Sequence, residues 1–182
     1  MEKQNITIRR AEREDLPAMQ AIFAHAREEM AKNGNPTQWK NDRPPLFLIE
    51  NDLKNRTSYV VEDDGRVCAT FSFTPGDDPT YAVIEDGAWV REAPYGALHR
   101  IASDNTVKGM LGIILDFVSS FGMDIRVDTH RDNKIMLHLL EKNGFTRCGT
   151  IWIDDGTSRI AFQKVIGENH GNDASGNEAK EN

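Results

Sequence analysis

The chain has 182 residues, with 29 acidic side chains against 22 basic ones and a formal charge of -7. That length fits one domain whose core needs no disulfide or metal staple. The negative balance, without any dense Lys/Arg run or interleaved aromatics, argues against a nucleic-acid partner, and no apolar run approaches a membrane span.

Cys68 and Cys148 fall in expected strands and lack a CxxC neighbour. Buried free thiols in a reducing compartment are therefore expected, rather than a redox or zinc site. Residues 1–5 lack the apolar core of a secretory signal, which points to a cytoplasmic location. From Glu168 to Asn182 no apolar side chain exceeds alanine. Such a stretch buries too little surface to offset its ordering entropy. Residues 1–166 are accordingly expected to form the single domain, and 167–182 a disordered tail.

In chain order, alternation around Ile6 and Ile8 predicts an opening strand. Leu16, Met19, Phe23, Ala26 and Met30 recur at helical spacing from about Asp15, with Pro17 tolerated in the first turn. Asn33-Gly34-Asn35-Pro36 breaks that helix. Trp39 follows in a polar segment, where it either pins the loop to the core or walls a substrate pocket. A shorter helix is expected near Pro45, with Leu46, Ile49 and Leu53 on one side.

The pattern then changes to strands. Tyr59-Val60-Val61 and Val67 to Phe73 flank Asp63-Asp64-Gly65, a hairpin turn in which glycine takes the positive φ. After an irregular stretch comes a strand from about Ala97 to Ala102. A helix from Gly109 to Phe121 is apolar nearly all round and so expected to be buried. Ile125 to Thr129 reads as a strand, and Asp132 or Asn133 caps a further helix that Gly144 ends. Phe145 to Ile153 and Ser158 to Ile166 form a last hairpin through Asp154-Asp155-Gly156. A crossover near Gly109 implies a parallel pair and the hairpins imply antiparallel ones. The expected fold is α/β, a mixed sheet with helices on both faces.

The segment from Ile101 to Gly112 runs from a strand through a polar loop into the buried helix. Free N–H groups at a helix start, backed by its dipole, form a site for an anion such as a phosphate. Gly109 would admit close backbone approach and Lys108 adds charge. The alternative is an ordinary loop whose glycines only ease a turn. Neither a GxxxxGK[S/T] nor a GxGxxG string is present.

Three stretches resemble the GNAT superfamily of acyl-CoA-dependent N-acyltransferases. They are Ile8-Arg9-Arg10-Ala11-Glu12 with Asp15-Leu16, His99 to Gly112, and Asp128 to Asn133 through Glu141-Lys142-Asn143-Gly144-Phe145. With the element order they span residues 6–166. The resemblance implies the GNAT fold, with a mostly antiparallel sheet and one splayed parallel pair. It implies acetyl-CoA as co-substrate, no metal, and transfer to a primary amine of a small molecule or peptide by direct attack. Such acyltransferases are often homodimers, and no segment of this sequence marks an interface.

Carried over residue by residue, the cofactor segment comprises Ile101, Ala102, Ser103, Val107, Lys108, Gly109, Met110, Leu111 and Gly112. A backbone N–H near Ile101 or Ala102 would serve developing oxyanion charge. Asn133 would contact the pantetheine arm or simply cap its helix. The loop departs from the family pattern, with Thr106 and Leu111 where Arg or Gln and a small residue are usual. Leu140 stands where many members have a proton-donating tyrosine. That departure keeps open a domain that binds acyl-CoA without turnover, or one that uses a hydroxyl acceptor or a longer acyl donor.

His99 is the preferred general base, since imidazole titrates near the working pH; its alternative is a packed strand residue. Glu85 and His130 are further base candidates. Trp39, Tyr81 and Trp89 are candidates for the acceptor pocket. The acids around Tyr81, namely Asp77, Asp78, Glu85 and Asp86, either line that pocket or are solvated loop residues.

Overall fold

The computed structural model describes residues 5–40 and 42–167; of the tail expected over 167–182, all but Gly167 lies outside the described residues. The strands are β1 (Ile6–Arg10), β2 (Ser58–Asp63), β3 (Arg66–Pro75), β4 (Tyr95–Ser103), β5 (Asp124–Thr129), β6 (Thr146–Trp152) and β7 (Ser158–Lys164). They form one seven-stranded sheet in the order β1-β2-β3-β4-β5-β7-β6. All neighbours are antiparallel except β4 and β5. The Asp64-Gly65 turn closes the first hairpin with φ of 50° and 81°, the two positive values that a tight turn between twisted strands needs. The last strand, β7, inserts between β5 and β6, so that the final hairpin sits at the sheet edge.

Four helices cover the sheet: α1 (Leu16–Lys32), α2 (Leu46–Lys54), α3 (Met110–Ser119) and α4 (Lys134–Lys142). Side chains of β2 alternate between the two faces. Tyr59 and Val61 join the large core with α3 and α4, whereas Val60 joins Met19, Ile22, Phe23 and Ile49 of α1 and α2. Of the expected stripe on α1, Met19 and Phe23 are core, while Ala26 and Met30 wall a cleft. Leu46 is half-exposed rather than inward-facing, because α2 is short and only Ile49 and Leu53 reach the core. Both cysteines are buried and free, and burial pushes their thiols up.

The feature that positions the site is the parting of β4 from β5. They pair only over Tyr95↔Asp124, Gly96↔Ile125 and Ala97↔Arg126. Beyond Ala97 the strands diverge, leaving residues 98–103 bonded on the β3 side alone. A bulge sits there: Ser72 faces His99 and Thr70 faces Ala102, so β4 carries one extra residue. Arg100 takes it up with φ of 54°, a left-handed conformation uncommon for any residue but glycine. Its guanidinium is locked by two 2.7 Å bonds to the Asp52 carboxylate of α2. The bulge at Arg100 turns the end of β4 toward the opening.

Candidate active site at the strand splay

Two clefts meet where β4 and β5 part, and Met30, Ile101, Asn133 and Met136 line both. The first, of about 480 Å³, lies between the α1 end, the loop before α3, and α4. Ile101, Ala102, Ser103, Val107, Lys108, Gly109, Met110, Leu111 and Asn133 line it, which joins nearly all the expected cofactor residues in one place. Gly112 is one step deeper in the helix. The first α3 hydrogen bond runs from Ile113 N–H to Gly109 C=O at 3.2 Å. The N–H groups of Val107 to Gly112 stand at the head of α3, ahead of that bond, where a helix start presents its donors outward. Gly109 sits at φ of 72°, with nothing within 4 Å of where a Cβ would stand, so this approach is open.

The preceding loop is rigidly held. Arg66 grips the Asp104 carboxylate and donates to Thr106 Oγ1 at 2.7 Å, while Asp104 Oδ1 accepts the Thr106 N–H at 3.0 Å. Backbone donors, a helix start and an apolar wall of Val107, Leu111, Met136 and Leu139 suit a chain with a diphosphate at one end. The residues present fit the acyl-CoA that the resemblance implies.

The second cleft, about 400 Å³, opens between β4, β5, β7 and the loop before α2. His99 faces it. Its Nε2 lies 2.7 Å from Asp78 Oδ2 and its Nδ1 3.8 Å from Asp128 Oδ2. Burial works to raise the Asp78 carboxyl, but His99 and the Thr80 N–H overcome this and hold it at about 2. With the Asp78 bond assigning the proton of neutral His99 to Nε2, Nδ1 is left as the basic nitrogen. Asp128 also accepts the Tyr81 hydroxyl at 2.9 Å. Burial, then Asp128, pushes that phenol well above its ordinary range, so it stays a donor. Nδ1 and Asp128 thus present two acceptors to the same spot, an arrangement that an ammonium about 2.8 Å from each would satisfy.

Other candidates fall elsewhere. Glu85 is exposed, accepts the Trp152 indole N–H at 2.9 Å, and lines neither cleft. His130 is half-buried with Nδ1 accepting the Asp132 N–H at 3.2 Å; burial and then Arg159 hold its pKa down. Trp89 packs at 4.0 Å on the Arg126 guanidinium, whose other face meets Tyr95. Tyr81 stands behind Asp128 rather than on the cleft wall, while Trp39 does line the cleft. Asn133 Oδ1 caps α4 through the Met136 N–H at 3.1 Å, and the residue lines both clefts. Leu140 is fully buried in the α3/α4 core and reaches neither cleft.

Several residues here escaped the sequence reading. Gln38 Oε1 accepts from Asn35 at 2.8 Å and from Asn133 at 3.1 Å, tying the loop to the start of α4. Arg43, Asp128, Asp154 and Arg159 complete the wall. Nothing local marks them, although the spacing of Asp128 one residue from the strand end could have drawn notice. Among the described residues there is no cluster of three or more His, Cys, Asp or Glu side chains able to hold a metal ion. No helix among them is long and apolar enough to cross a membrane.

No protein-family model and no curated protein sequence matches the chain. Solved structures do. A GNAT-family acetyltransferase from Streptococcus agalactiae is 30% identical, with 90% of this chain and 96% of that one covered and a TM-score of 0.77. A GNAT-family acetyltransferase from Listeria monocytogenes has a TM-score of 0.67 at 17% identity, over 88% of this chain and 95% of that one. The yncA protein of Salmonella typhimurium, solved with its cofactor acetyl-CoA, has a TM-score of 0.56 at 16% identity, over 93% and 99%. At these last two identities the likeness speaks for the fold alone. An open mixed sheet parted at one parallel pair is the architecture this chain shares with acyl-transferring enzymes. The chain belongs to the GNAT family of acetyltransferases.

Proposed function

We propose that the protein is an N-acetyltransferase that moves an acetyl group from acetyl-CoA to a primary amine by direct attack. The observation that carries this reading is the meeting of the two clefts at the β4/β5 gap, with His99 at the head of the second. Bound acetyl-CoA supplies an activated thioester with a good thiolate leaving group. Val107 to Gly112 offer their N–H groups to its diphosphate, and Asn133 and Met136 flank the arm that reaches the gap.

At the gap, Asp128 and His99 Nδ1 receive the ammonium of the acceptor. His99 removes one proton, with Asp78 fixing the ring and stabilising the imidazolium that results. The freed amine forms its N–C bond as the C–S bond breaks and releases its second proton to solvent, and a backbone N–H at Ile101 or Ala102 takes the charge building on the carbonyl oxygen. Leu140 has no proton to give, so the departing thiolate is protonated from solvent in the open cleft.

The test is titration with acetyl-CoA by calorimetry, followed by thiol release with a panel of amines. Binding with amine-dependent release is the expected result. Tight binding without release for any acceptor would leave a domain that only binds acyl-CoA. Absence of heat with any acyl-CoA would overturn the reading entirely.

A further inference from the structure

Arg159 is the least expected residue of the second cleft. It is 5% exposed, yet it belongs to no ion pair among the described residues. Its Nη1 donates to Thr157 Oγ1 at 2.7 Å and Ser158 C=O at 2.9 Å, and its Nη2 reaches Gln38 C=O at 3.5 Å. A guanidinium has five N–H donors. Two remain, the Nε–H among them, and the side chain lines the cleft. A buried cation without a carboxylate is costly, and cations so placed are normally paired. Burial holds the Arg159 pKa down although the more distant Asp128 and Asp155 carboxylates pull it up.

Position matters as much as charge. In the β5–β7 ladder Asp128 faces Ala161, so Arg159, two residues along, is the diagonal neighbour of Asp128 on the same side of the sheet. Such neighbours lie about 7–8 Å apart. The amine seat between His99 and Asp128 and the unpaired guanidinium are therefore adjacent. Arg43, the other cation of this wall, is already held by Asp154 at 3.3 Å and Asp155 at 3.6 Å. Trp39, Pro44, Pro45 and Leu48 make the roof apolar.

We infer that Arg159 holds a carboxylate of the acceptor, and that the acceptor is a small amino acid-like zwitterion with its amine close to its carboxylate. This deepens the proposed acetyl transfer and rests on it. The carboxylate completes the valence of Arg159 side-on, through Nε–H and an Nη2–H, which is the fork geometry guanidinium offers planar anions. The ammonium goes to Asp128 and His99. Simple amines and polyamines fill only the second seat and leave two N–H donors of the buried Arg159 unfilled.

Thiol release from acetyl-CoA is measured with the twenty standard amino acids, each beside its carboxamide, for wild type, Arg159→Met and Arg159→Lys. The best amino acid should exceed its carboxamide in kcat/KM by about 30- to 100-fold in wild type, mostly through KM. That ratio should fall close to one in Arg159→Met and be intermediate in Arg159→Lys. Equal rates for the two forms in wild type overturn the inference and need no variant to fold. A ratio that survives in Arg159→Met also overturns it, because the carboxylate is then held elsewhere. Calorimetry of the N-acetylated amino acids and their amides, with CoA present, separates this from the reading beneath it. Carboxylate-dependent binding that is lost in Arg159→Met, without thiol release, sustains the anchor and sinks the acetyl transfer. Thiol release without carboxylate-dependent binding does the reverse.

Discussion

His99 Nε2 and Asp78 Oδ2 lie 2.7 Å apart at the head of the second cleft, and the two come from segments 21 residues apart in the chain. The pair orients the imidazole so that Nδ1 faces Asp128 across 3.8 Å. His99→Ala is therefore expected to lower kcat/KM for the true amine by about 100-fold or more. Asp78→Asn keeps the ring but weakens its orientation, with an expected loss of about 10-fold. Both are read from kcat/KM between pH 6 and 9. Wild-type values for His99→Ala across that range would remove the base assignment.

The same pair predicts an acid-dependent stability. Asp78 is held at about 2, against 3.8 when unfolded. Its contribution is present in full above the unfolded value and disappears as pH falls through about 2. The loss should amount to about 2 kcal/mol over that window. Urea unfolding of wild type and Asp78→Asn at pH 5, 4 and 3 should show the gap between them narrowing as pH drops. A constant gap would mean that Asp78 is not held low in the folded state.

Arg100 and Asp52 make a second test, of position rather than chemistry. The pair fixes a left-handed arginine in the β4 bulge, and the Asp52 residue is only 8% exposed. Asp52→Ala leaves the guanidinium without its carboxylate and should cost about 2–3 kcal/mol. Asp52→Glu should recover part of that. Because the bulge aims Ile101 and Ala102, kcat should fall while the acetyl-CoA Kd changes little. Unchanged kcat with lowered stability would show that the bulge is not sensed at the gap.

What could be read from the sequence was whatever is coded locally. Asp64-Gly65 needs only its own φ values, the apolar circumference of α3 needs only composition, and the loop before it needs only a strand, glycines and a helix. The acceptor side is different. Arg159 stands beside Asp128 on one face of the sheet only because β7 inserts beside β5, and Gln38 reaches Asn133 across 95 residues. No periodicity encodes either placement. Glu85 drew notice by charge, but the irregular stretch that carries it pairs with Thr150 and turns it to Trp152. Leu140 shows the converse: its departure from a familiar pattern was legible, and its burial explains why hydrophobicity is what that position now needs.

Gly96 is the last paired residue but one before the strands part, and a Cβ there would stand 2.0 Å from the Phe73 ring. Phe73 is 1% exposed and has no room to retreat. Gly96→Ala should therefore destabilise by about 1–3 kcal/mol through overpacking. Gly96→Ala with Phe73→Leu should recover a share of the loss, since the smaller side chain vacates the ring position. The measurement is the urea midpoint of the single and double variants; strict additivity would show that the two sites do not clash.

The loop before α3 makes a prediction through what its side chains do not do. Its N–H donors at the head of α3 belong to the backbone, whereas Lys108 is exposed at the rim. An exposed charge acts weakly and is screened by salt. Lys108→Ala should accordingly raise the acetyl-CoA Kd only about 3- to 10-fold at low ionic strength, and less than that at high salt. Gly109→Val should weaken binding more, because φ of 72° disfavours a β-branched residue and distorts the backbone donors themselves. Calorimetry at two salt concentrations distinguishes the two effects, as only the lysine contribution depends on screening. A Lys108→Ala loss exceeding that of Gly109→Val would place the diphosphate on the side chain and away from the helix start.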